Sequence, residues 1–578
     1  MMLARPGASQ RARRRRDTLL APDATGERLG DWVIMNRSGA LLFGAVALAL
    51  GIAAAPALAE TPKDTLVVAK NIDDIITLDP AEVFEFSGGE VIGNVYDRIM
   101  TYEAEDTEAL VPGVAESYSV SDDGRTITLK IRPGQKFHSG NPVTAEDVAF
   151  SLQRVIKLDK TPAFILSQLG WTADNVDGLV KAVDELTAEL TITEDFAPTF
   201  VLNCLSAGVG SVVDKKTVLA NEKNGDLGYE WLKSNSAGSG AFVLKSWKAN
   251  ETIVLEANAA YRLGAPAMKR VIIRHIPEAS AQRLLLEKGD ADLARNLTPD
   301  QVAGVAGNAG IVVEAYPKAD VYYLGLNQKD ERLANPKVRQ AIRWAVDYQG
   351  MANSFLKGHF KVHQAFWPSG FFASLTDTPF SLDVAKAKAL LAEAGYPDGF
   401  EVELDASNTT PSSDIAQSVQ QTLGQAGVKV SIVPGEQKQV ITKYRARNHG
   451  IVLLYWSPDY MDPHSNADSF ARNPDNADDA KSKPLAWRNA WDIPELTKET
   501  DAAVRERDPE KRKDMYIALQ KKVQEDSAFV VMFQRTEQVA RTANVSGFVS
   551  GPAAASSLAG AAPSAPALST GAQGGPSG

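Results

Sequence analysis

The sequence contains one cysteine among 578 residues, and it has no phosphate-binding loop of the form G-x-x-x-x-G-K-[ST]. The single cysteine, Cys204, lies in the apolar stretch "FVLNCLSAG", so no intrachain disulfide is possible and a core position is expected. ATP hydrolysis through a phosphate loop is excluded. A chain of this length without disulfides predicts two or three domains with large hydrophobic cores.

Acidic residues outnumber basic ones: the chain has 61 lysines and arginines and 72 aspartates and glutamates, which gives a net charge of −11. Without residues 1–59 the chain has 53 basic and 68 acidic residues, a net charge of −15. This balance argues against nucleic-acid binding through charge. The hydrophobic fraction of 44% and the charged fraction of 23% are those of an ordinary globular protein.

An apolar run lies near the amino terminus, in "MNRSGALLFGAVALALGIAAAPALAE". The basic start at Arg37, the run 40–55 and the small-residue site 57–59 predict a secretory signal peptide over 35–59 and a soluble periplasmic protein. A membrane anchor is the alternative, but the run is shorter than the ~20 residues that a span needs. We expect residues 1–34, with "RARRRR", to be an over-long start; a genuine basic extension is the alternative.

Motifs of nucleophilic catalysis are missing as well. The stretch "NSAGSGAF" has Ala237 and Ala241 where a nucleophile elbow would need glycines around Ser239. We therefore expect a protein that is not an enzyme and needs no cofactor. A periplasmic hydrolase stays open as an alternative.

Histidine is the next scarce residue, with six in the chain. His359 and His363 are four apart and would share one face of a helix, but "HFKVH" lacks the glutamate of the zinc-protease motif and a nearby acidic third ligand. A second group of potential ligands has irregular spacing and contains a proline. It comprises Asp459, Asp462, His464 and Asp468. We expect no metal site.

Local signals predict several strands and helices. "TLVVAK" (65–70) reads as a strand, and "DDG" at 122–124 between alternating apolar residues predicts a hairpin. Thr144 and Asp147 form a capping box that starts a helix, and Pro336 occupies the first position of another. These elements indicate an architecture that mixes helices and sheets.

The stretch 400–460 has alternating strands and helices. "FEVELDAS" alternates as a strand, "SDIAQSVQQTLGQAG" is an amphipathic helix, and "VKVSIV" and "GIVLLYW" are strands. Such βαβ units form parallel sheets, which present ligand sites at the carboxyl ends of their strands. Asp459, in "LLYWSPDYMDP", follows one of these ends.

A carboxylate between aromatic residues is suited to binding a cation. Trp456 and Tyr460 flank Asp459 in the sequence. A desolvated ammonium group favours a carboxylate and tolerates the faces of aromatic rings. A solvated or helix-capping aspartate is the alternative.

Several stretches together resemble the family 5 extracellular solute-binding proteins of ABC transporters, which bind peptides, dipeptides and nickel. They are "AESYSVSDDGRTITLKIRPGQKFHSGNPVTAEDVAFSLQR", "GSGAFVLKSW", "NPKVRQAIRWAVD", "AKALLAEAGYPDGF" and "WSPDYMDP". The resemblance covers about residues 62–552. It implies an α/β periplasmic binding protein (flytrap) fold, in which two α/β lobes close on the ligand and an additional lobe is inserted in the first.

The family pattern also implies the bounds of the lobes. Lobe I comprises 60–98, 238–318 and 526–552, the inserted lobe II comprises 99–237, and lobe III comprises 319–525, with crossings near 318–320 and 522–528. Beyond Pro552 an uncharged tail rich in alanine, serine, glycine and proline replaces the closing strand of the family. We expect this tail, 553–578, to be disordered.

In peptide-binding relatives, the aspartate of W-x-x-D-Y binds the α-ammonium group of the ligand. The resemblance therefore implies this role for Asp459, while backbone groups of both lobes pair with the peptide as an added strand. The family's loop after "LDP" also reaches the ligand. The other implied contacts are Trp456, Tyr460, Phe84, Glu85 and Phe86.

The sequence departs from the family pattern in places. Ala241 replaces the proline of G-T-G-P-Y, and Arg262 replaces a tryptophan. The loop "DASNTTPSSD" has no arginine where dipeptide-binding relatives supply one for the carboxylate, so strict dipeptide specificity is not implied.

The resemblance implies a monomeric periplasmic component of an ABC importer that captures di- or oligopeptides and delivers them to the inner-membrane permease. No nucleic-acid partner is expected. A binder of nickel or another cationic solute on the same fold is the alternative.

Overall fold

The computed structural model describes residues 62–103, 106, 109–552 and 556–564. The expected signal peptide and residues 1–34 lie outside these ranges, as does the chain beyond 564. Within the described ranges, no helix has both the length and the apolar character needed to cross a membrane.

The strands are numbered along the chain as β1 to β21. They are β1 (Thr65–Lys70), β2 (Met100–Tyr102), β3 (Leu110–Pro112), β4 (Ala115–Val120), β5 (Thr126–Ile131), β6 (Val180–Asp184), β7 (Thr187–Thr191), β8 (Phe242–Lys248), β9 (Thr252–Ala257), β10 (Arg270–His275), β11 (Leu293–Ala294), β12 (Ile311–Leu326), β13 (Phe360–Val362), β14 (Phe400–Ser407), β15 (Val428–Gly435), β16 (Ile451–Trp456), β17 (Phe529–Thr542), β18 (Val545–Ser546), β19 (Val549–Ser550), β20 (Ser556–Ser557) and β21 (Ala562–Pro563).

The α-helices are numbered in the same way. They are α1 (Phe86–Val95), α2 (Ala145–Leu158), α3 (Phe164–Ser167), α4 (Val176–Leu179), α5 (Pro198–Leu205), α6 (Lys215–Ala220), α7 (Tyr229–Leu232), α8 (Ala279–Lys288), α9 (Pro299–Val305), α10 (Glu331–Ala334), α11 (Pro336–Trp344), α12 (Tyr348–Asn353), α13 (Val384–Glu393), α14 (Ser412–Ala426), α15 (Gln437–Arg445), α16 (Pro463–Phe470), α17 (Leu485–Arg488), α18 (Pro494–Ala503) and α19 (Pro509–Glu525).

One large mixed sheet runs through the molecule in the order β15-β14-β16-β12-β17-β11-β1-β10-β9-β8, and β13 pairs with β17. The pairs β14–β15, β14–β16, β1–β10 and β1–β11 are parallel. The expected α/β class is confirmed by this sheet and the helices on it. "TLVVAK" forms β1, as the alternation predicted.

Two long antiparallel strands, β12 and β17, join the two halves of this sheet. Their pairing shifts register between Pro317 and Val321, opposite Thr536 and Gln534. Pro317 has no N–H to donate to a ladder, which favours an irregularity there. The shift spans residues 318–320 of β12, and the residue between its two partners on β17 is Arg535.

A separate four-stranded sheet, β4-β5-β7-β6, lies between β1 and β8 in the sequence. The hairpin expected at "DDG" joins β4 to β5. The capping box is present: Thr144 accepts from the backbone of Asp147, whose carboxylate accepts from the backbone of Thr144. Apolar residues of α2 and β5 share one buried core, which closes this sheet on one face.

The predicted βαβ unit is confirmed. β14 pairs in parallel with β15 after α14, and it pairs in parallel with β16. In β16, Ile451 and Leu453 pack into the core on one face of the sheet, and Val452 and Leu454 pack into the core on the other. Burial on both faces explains the continuous apolar run that ends before Asp459.

The tail departs from its expected disorder. Residues 556–564 are described, and β20 and β21 pair with β19 and β18. Leu558 and Ala561 are fully buried in the core that contains β1. The prediction of disorder is therefore wrong for this segment. Its side chains of Leu558 and Ala561 are buried in that core, and this burial of apolar surface favours an ordered segment. Residues 553–555 and 565–578 lie outside the described part.

Candidate functional site

A cavity of about 780 Å³ lies between the part of the chain that carries α1 and the part that carries β16. This volume is ordinary for a site that encloses a small ligand. All six residues predicted from the sequence line it. They are Phe84, Glu85, Phe86, Trp456, Asp459 and Tyr460.

Asp459 reaches the cavity because β16 ends three residues before it. Pro458 cannot donate a backbone hydrogen bond, so the ladder stops and the chain turns into a loop. The backbone N–H of Asp459 donates to the hydroxyl of Ser465 at 2.8 Å, which fixes this loop against the start of α16. The carboxylate is therefore held at the carboxyl end of a central strand.

The Asp459 carboxylate has no ion pair or hydrogen bond with any described residue. Burial raises its pKa from 3.8 to about 7; the nearby negative charge of Asp468 acts in the same direction, and Arg488 opposes them. A partly buried carboxylate without an ionic partner is stabilised in its charged form by a bound cation. This electrostatic state suits the binding of an ammonium group.

The two aromatic neighbours of Asp459 differ in their surroundings. Tyr460 is only 4% exposed, and its ring packs edge-to-face on Phe200 with 5.7 Å between centroids. The ring of Trp456 is half-buried, and its Nε1–H has no hydrogen-bond partner among the described residues. Tyr460 thus mainly joins α5 to this loop, and Trp456 offers more surface to the cavity.

The loop before α1 forms another part of the wall. Phe84 and Phe86 are 46% and 44% exposed, unusually open for large apolar side chains. Glu85 occupies the N-cap position of α1, and burial raises its pKa. Two open aromatic rings and a carboxylate can contact an organic cation or the side chains of a peptide.

Five arginines that no sequence pattern predicted as ligand contacts also line the cavity. Arg98, Arg132, Arg262, Arg445 and Arg488 line it. Arg262 forms an ion pair with Asp97 at 3.4 Å. Burial lowers the pKa of Arg98 to about 10. No local motif marks these residues, because they come from distant parts of the chain.

The two groups of potential metal ligands in the sequence are arranged differently in the structure. Residues 360–362 form β13, so His359 and His363 do not share a helix face, and His363 Nε2 lies 2.9 Å from the carbonyl oxygen of Trp367. Asp462 is bound by both terminal nitrogens of Arg512, at 2.9 and 2.7 Å. Across the described residues, no group of three or more potential metal ligands comes together.

Ser239 is not arranged as a nucleophile. It is 2% exposed, and its hydroxyl donates to the carboxylate of Asp97 at 2.8 Å. A Cβ on the neighbouring Gly238 would lie 2.1 Å from the carbonyl oxygen of Val95, so glycine is needed for close packing against the end of α1. The "GSG" stretch is therefore structural.

Comparison with known proteins agrees with this architecture. The model for bacterial extracellular solute-binding proteins, family 5 Middle, matches residues 109–478. The chain belongs to this family. The sequence resemblance implied the flytrap fold of family 5. Membership of the family confirms this prediction of the fold.

Two curated relatives extend over almost the whole chain. The probable D,D-dipeptide-binding periplasmic protein DdpA of Escherichia coli is 31% identical over 522 residues, which cover 90% of this chain and 98% of that protein. The glutathione-binding protein GsiB of Salmonella typhimurium is 26% identical over 514 residues, which cover 87% and 95%. Both names describe binding proteins rather than enzymes.

A solved structure shares the fold. The ABC transporter-associated periplasmic binding protein DppA from Helicobacter pylori, in complex with the peptide STSA, has a TM-score of 0.69 and 24% sequence identity. The match covers 86% of this chain and 98% of that protein.

Proposed function

We propose that this protein is the periplasmic substrate-binding component of an ABC importer that captures peptides through their free amino terminus and delivers them to the inner-membrane permease. The observation that carries the proposal is the Asp459 carboxylate on the wall of this cavity, which has no ion pair or hydrogen bond with any described residue. The peptide-binding names of the relatives and the peptide complex of the H. pylori protein support it.

The cavity lies where two parts of the chain would close on a ligand. Two hydrogen bonds join segments that are far apart in the sequence on this side of the molecule: Asn203 donates to Asp462 at 3.0 Å, and the hydroxyl of Tyr102 donates to the carbonyl oxygen of Met461 at 3.2 Å. Tyr102 and Met461 line the cavity. In a flytrap mechanism such contacts form when the lobes close, and a ligand that bridges the lobes favours that state. Asp459 would then bind the ammonium group in a space with little water.

Native mass spectrometry of freshly purified protein tests the peptide assignment directly. We expect the protein to carry bound peptides, whose masses and sequences are then read after denaturation. A nickel adduct without peptide would contradict the proposal in favour of a metal binder. Cleavage of added peptides with turnover would contradict it in favour of a hydrolase.

The raised pKa of Asp459 predicts that peptide binding depends on pH. An ammonium group binds the ionised carboxylate, so affinity should fall as the pH drops below about 7. It should also fall above about 8, where the peptide's own amino group loses its proton. Calorimetric titration between about pH 5.5 and pH 9 should therefore give the tightest binding between the two values.

The control for this pH dependence is Asp459→Asn, which should lack the decrease on the acid side. In wild-type protein at acid pH, binding should also release a proton, detected as a dependence of the heat on the ionisation enthalpy of the buffer. Affinity that stays constant from pH 5.5 to pH 7.5 in the wild type would contradict the assignment of Asp459.

A further inference from the structure

The tail segment, residues 556–564, forms part of the cavity wall. Ser557 and Ala559 are half-buried and line the cavity, as do Gly551 and Pro552 before them. The composition of this segment predicts disorder, so no sequence pattern indicated a place in the site. The wall that encloses the ligand space therefore includes two side chains whose position depends on how this segment docks on the rest of the fold.

Backbone pairing holds the tail segment in place. β20 pairs with β19, and β21 pairs with β18. Between these two pairs the backbones of Gly547 and Gly560 approach closely, and a Cβ on either glycine would overlap the carbonyl oxygen of the other. The backbone N–H of Ser564 donates to the carbonyl oxygen of Asn544 at 2.7 Å. The tail segment is thus paired with residues 544–550 at both of its ends.

Two apolar side chains anchor the tail segment in the core beside α1. Leu558 and Ala561 are fully buried, in the core that also contains Val91 and Val95 of α1. The backbone N–H of Leu558 donates to Oδ1 of Asn94 at 3.1 Å. Burial of the apolar side chains favours the docked position. Ser557 and Ala559, on either side of Leu558, are the residues that line the cavity.

The stretch that pairs with the tail segment is itself fixed to the large sheet. The hydroxyl of Ser550 accepts from Nζ of Lys318 at 2.7 Å and donates to the carboxylate of Glu537 at 2.6 Å. The carbonyl oxygen of Pro552 accepts from the backbone N–H of Ala319 at 2.9 Å. These contacts hold β19 beside the register shift of β12, and they hold the tail segment with it.

A ligand enclosed by the cavity lies close to the tail segment. Enclosed sites bury most of the surface of a small ligand, roughly 70–90%. Asn94, which accepts from the tail segment, lines the cavity together with Ile92 and Gly93 of the same helix. A ligand group held against this end of α1 would therefore also contact Ala559.

We propose that the tail segment is part of the peptide-binding site and that the small side chain of Ala559 makes room for a ligand group beside the end of α1. The inference rests on the proposed function and deepens it, because it assigns a size limit for the peptide to one described residue. Alanine occupies little of the cavity, and a larger side chain at this position would take space from the ligand. The tail segment then selects peptides by the size of the group that fits there.

Cysteine labelling tests whether a bound peptide covers Ala559. The native Cys204 is fully buried, and burial raises the pKa of its thiol, so it should react slowly. A cysteine introduced into the tail segment is then the main reactive thiol. Ala559→Cys places it on the cavity wall, and Ala561→Cys places it in the core. Ala562→Cys is the matched control, because Ala562 is half-buried but does not line the cavity.

Each variant is treated with a maleimide at neutral pH, with and without a pool of di- to tetrapeptides as free acids. Without peptide, Ala561→Cys should react much more slowly than the other two, since Ala561 is fully buried. Peptide at about ten times its dissociation constant leaves about one-tenth of the protein free, so labelling of Ala559→Cys should slow by about tenfold. Labelling of Ala562→Cys should not change.

A bulkier residue tests the size limit. Ala559→Leu should lower retention of the peptide pool after rapid desalting by about tenfold or more, because added methylenes overlap with the ligand in a filled site. The loss should be greatest for the largest peptides. Ala562→Leu is the control and should retain the pool as the wild type does. Equal midpoints of thermal unfolding for the two variants would show that the loss does not come from a weakened fold.

The outcomes are distinguishable. Labelling of Ala561→Cys as fast as that of the other two would show that the tail segment does not dock, and it would overturn the proposal. Retention of peptides without protection of Ala559→Cys would overturn the role of the tail segment and leave the peptide function intact. Retention of no peptide by the wild type would overturn the proposed peptide function, and the assignment of the tail segment to a peptide site with it.

Discussion

Replacing Asp459 with asparagine should weaken the binding of a peptide with a free amino terminus by roughly ten- to a hundred-fold or more. The amide keeps the shape and one acceptor oxygen, but it removes the negative charge. A charge-assisted hydrogen bond contributes roughly 1.5 to 3 kcal/mol, and about 1.4 kcal/mol corresponds to a tenfold change in affinity. The expected effect is large because no cationic side chain among the described residues forms an ion pair with this carboxylate.

A double-mutant cycle checks that this loss belongs to the ammonium group. Acetylating the amino terminus of the peptide should weaken binding to the wild type by a similar factor. The two changes together should cost less than the sum of their separate effects, since both remove one interaction. Calorimetric titration of the four combinations measures this. Equal affinity of the wild type for free and acetylated peptides would leave Asp459 as a structural loop residue.

Loss of folding is not expected to explain the loss of binding. The folded-state pKa of Asp459 is raised from 3.8 to about 7, so folding disfavours the ionised carboxylate. This unfavourable contribution is fully present above about pH 7 and absent below about 3.8. At pH 8 the free energy of unfolding of Asp459→Asn should therefore be at least that of the wild type.

Local patterns were sufficient to predict the position of Asp459. The apolar run of β16 is buried on both faces of the sheet, and Pro458 ends its ladder. Both features are properties of adjacent residues, so they are visible in the sequence. The capping box of Thr144 and the hairpin before β5 were predictable for the same reason.

The arginines of the cavity could not be predicted in this way. Arg445 and Arg488 lie at the ends of two helices that are far apart in the sequence, and only the packing around Tyr444 brings them together. That neither arginine has an acidic partner in the described part of the chain is a property of the tertiary structure. The packing of Tyr460 on Phe200 is likewise a contact between distant segments.

Composition alone gave a wrong prediction for residues 556–564 of the tail. Alanine, serine, glycine and proline without charge are typical of disorder, because such segments bury little apolar surface. Yet Leu558 is fully buried, and its backbone N–H donates to the side chain of Asn94 at 3.1 Å. A core that is already formed by the rest of the chain can hold a segment whose own composition would not order it.

The largest effect on stability is expected from Glu537→Gln. Glu537 is buried in a network of charges beside the register shift that joins β12 to β17. Arg295 binds it at 2.8 and 3.1 Å, and Lys318 lies at 3.1 Å. Arg295 also binds Glu90 at 2.7 Å. Removing the central negative charge leaves Arg295 with Glu90 as its acidic partner and leaves buried Lys318 with none among the described residues. Breaking a buried charge pair in this way typically costs about 3 to 5 kcal/mol.

The pH dependence of this cost has a definite sign. Burial alone would raise the pKa of Glu537, but the charges of Arg295 and Lys318 outweigh burial and hold the pKa well below 4.5. The ionised carboxylate therefore stabilises the fold at any pH above about 4.5, and this contribution is lost as the pH falls through the folded-state pKa. The difference between wild type and Glu537→Gln should be full at pH 7 and should shrink in acid.

Urea denaturation at pH 7 and at pH 4 measures the cost of Glu537→Gln in free energy of unfolding and its dependence on pH. Glu495→Gln is the matched control, because Glu495 makes the same type of charge pair, with Lys498 at 2.8 Å, but is 79% exposed. Its loss should cost less than about 1 kcal/mol, since water screens exposed pairs. Similar free energies of unfolding for Glu537→Gln and Glu495→Gln at pH 7 would show that the buried network does not hold the junction of the two long strands. A large cost confined to Glu537→Gln would instead show that the buried network stabilises the junction of the two long strands.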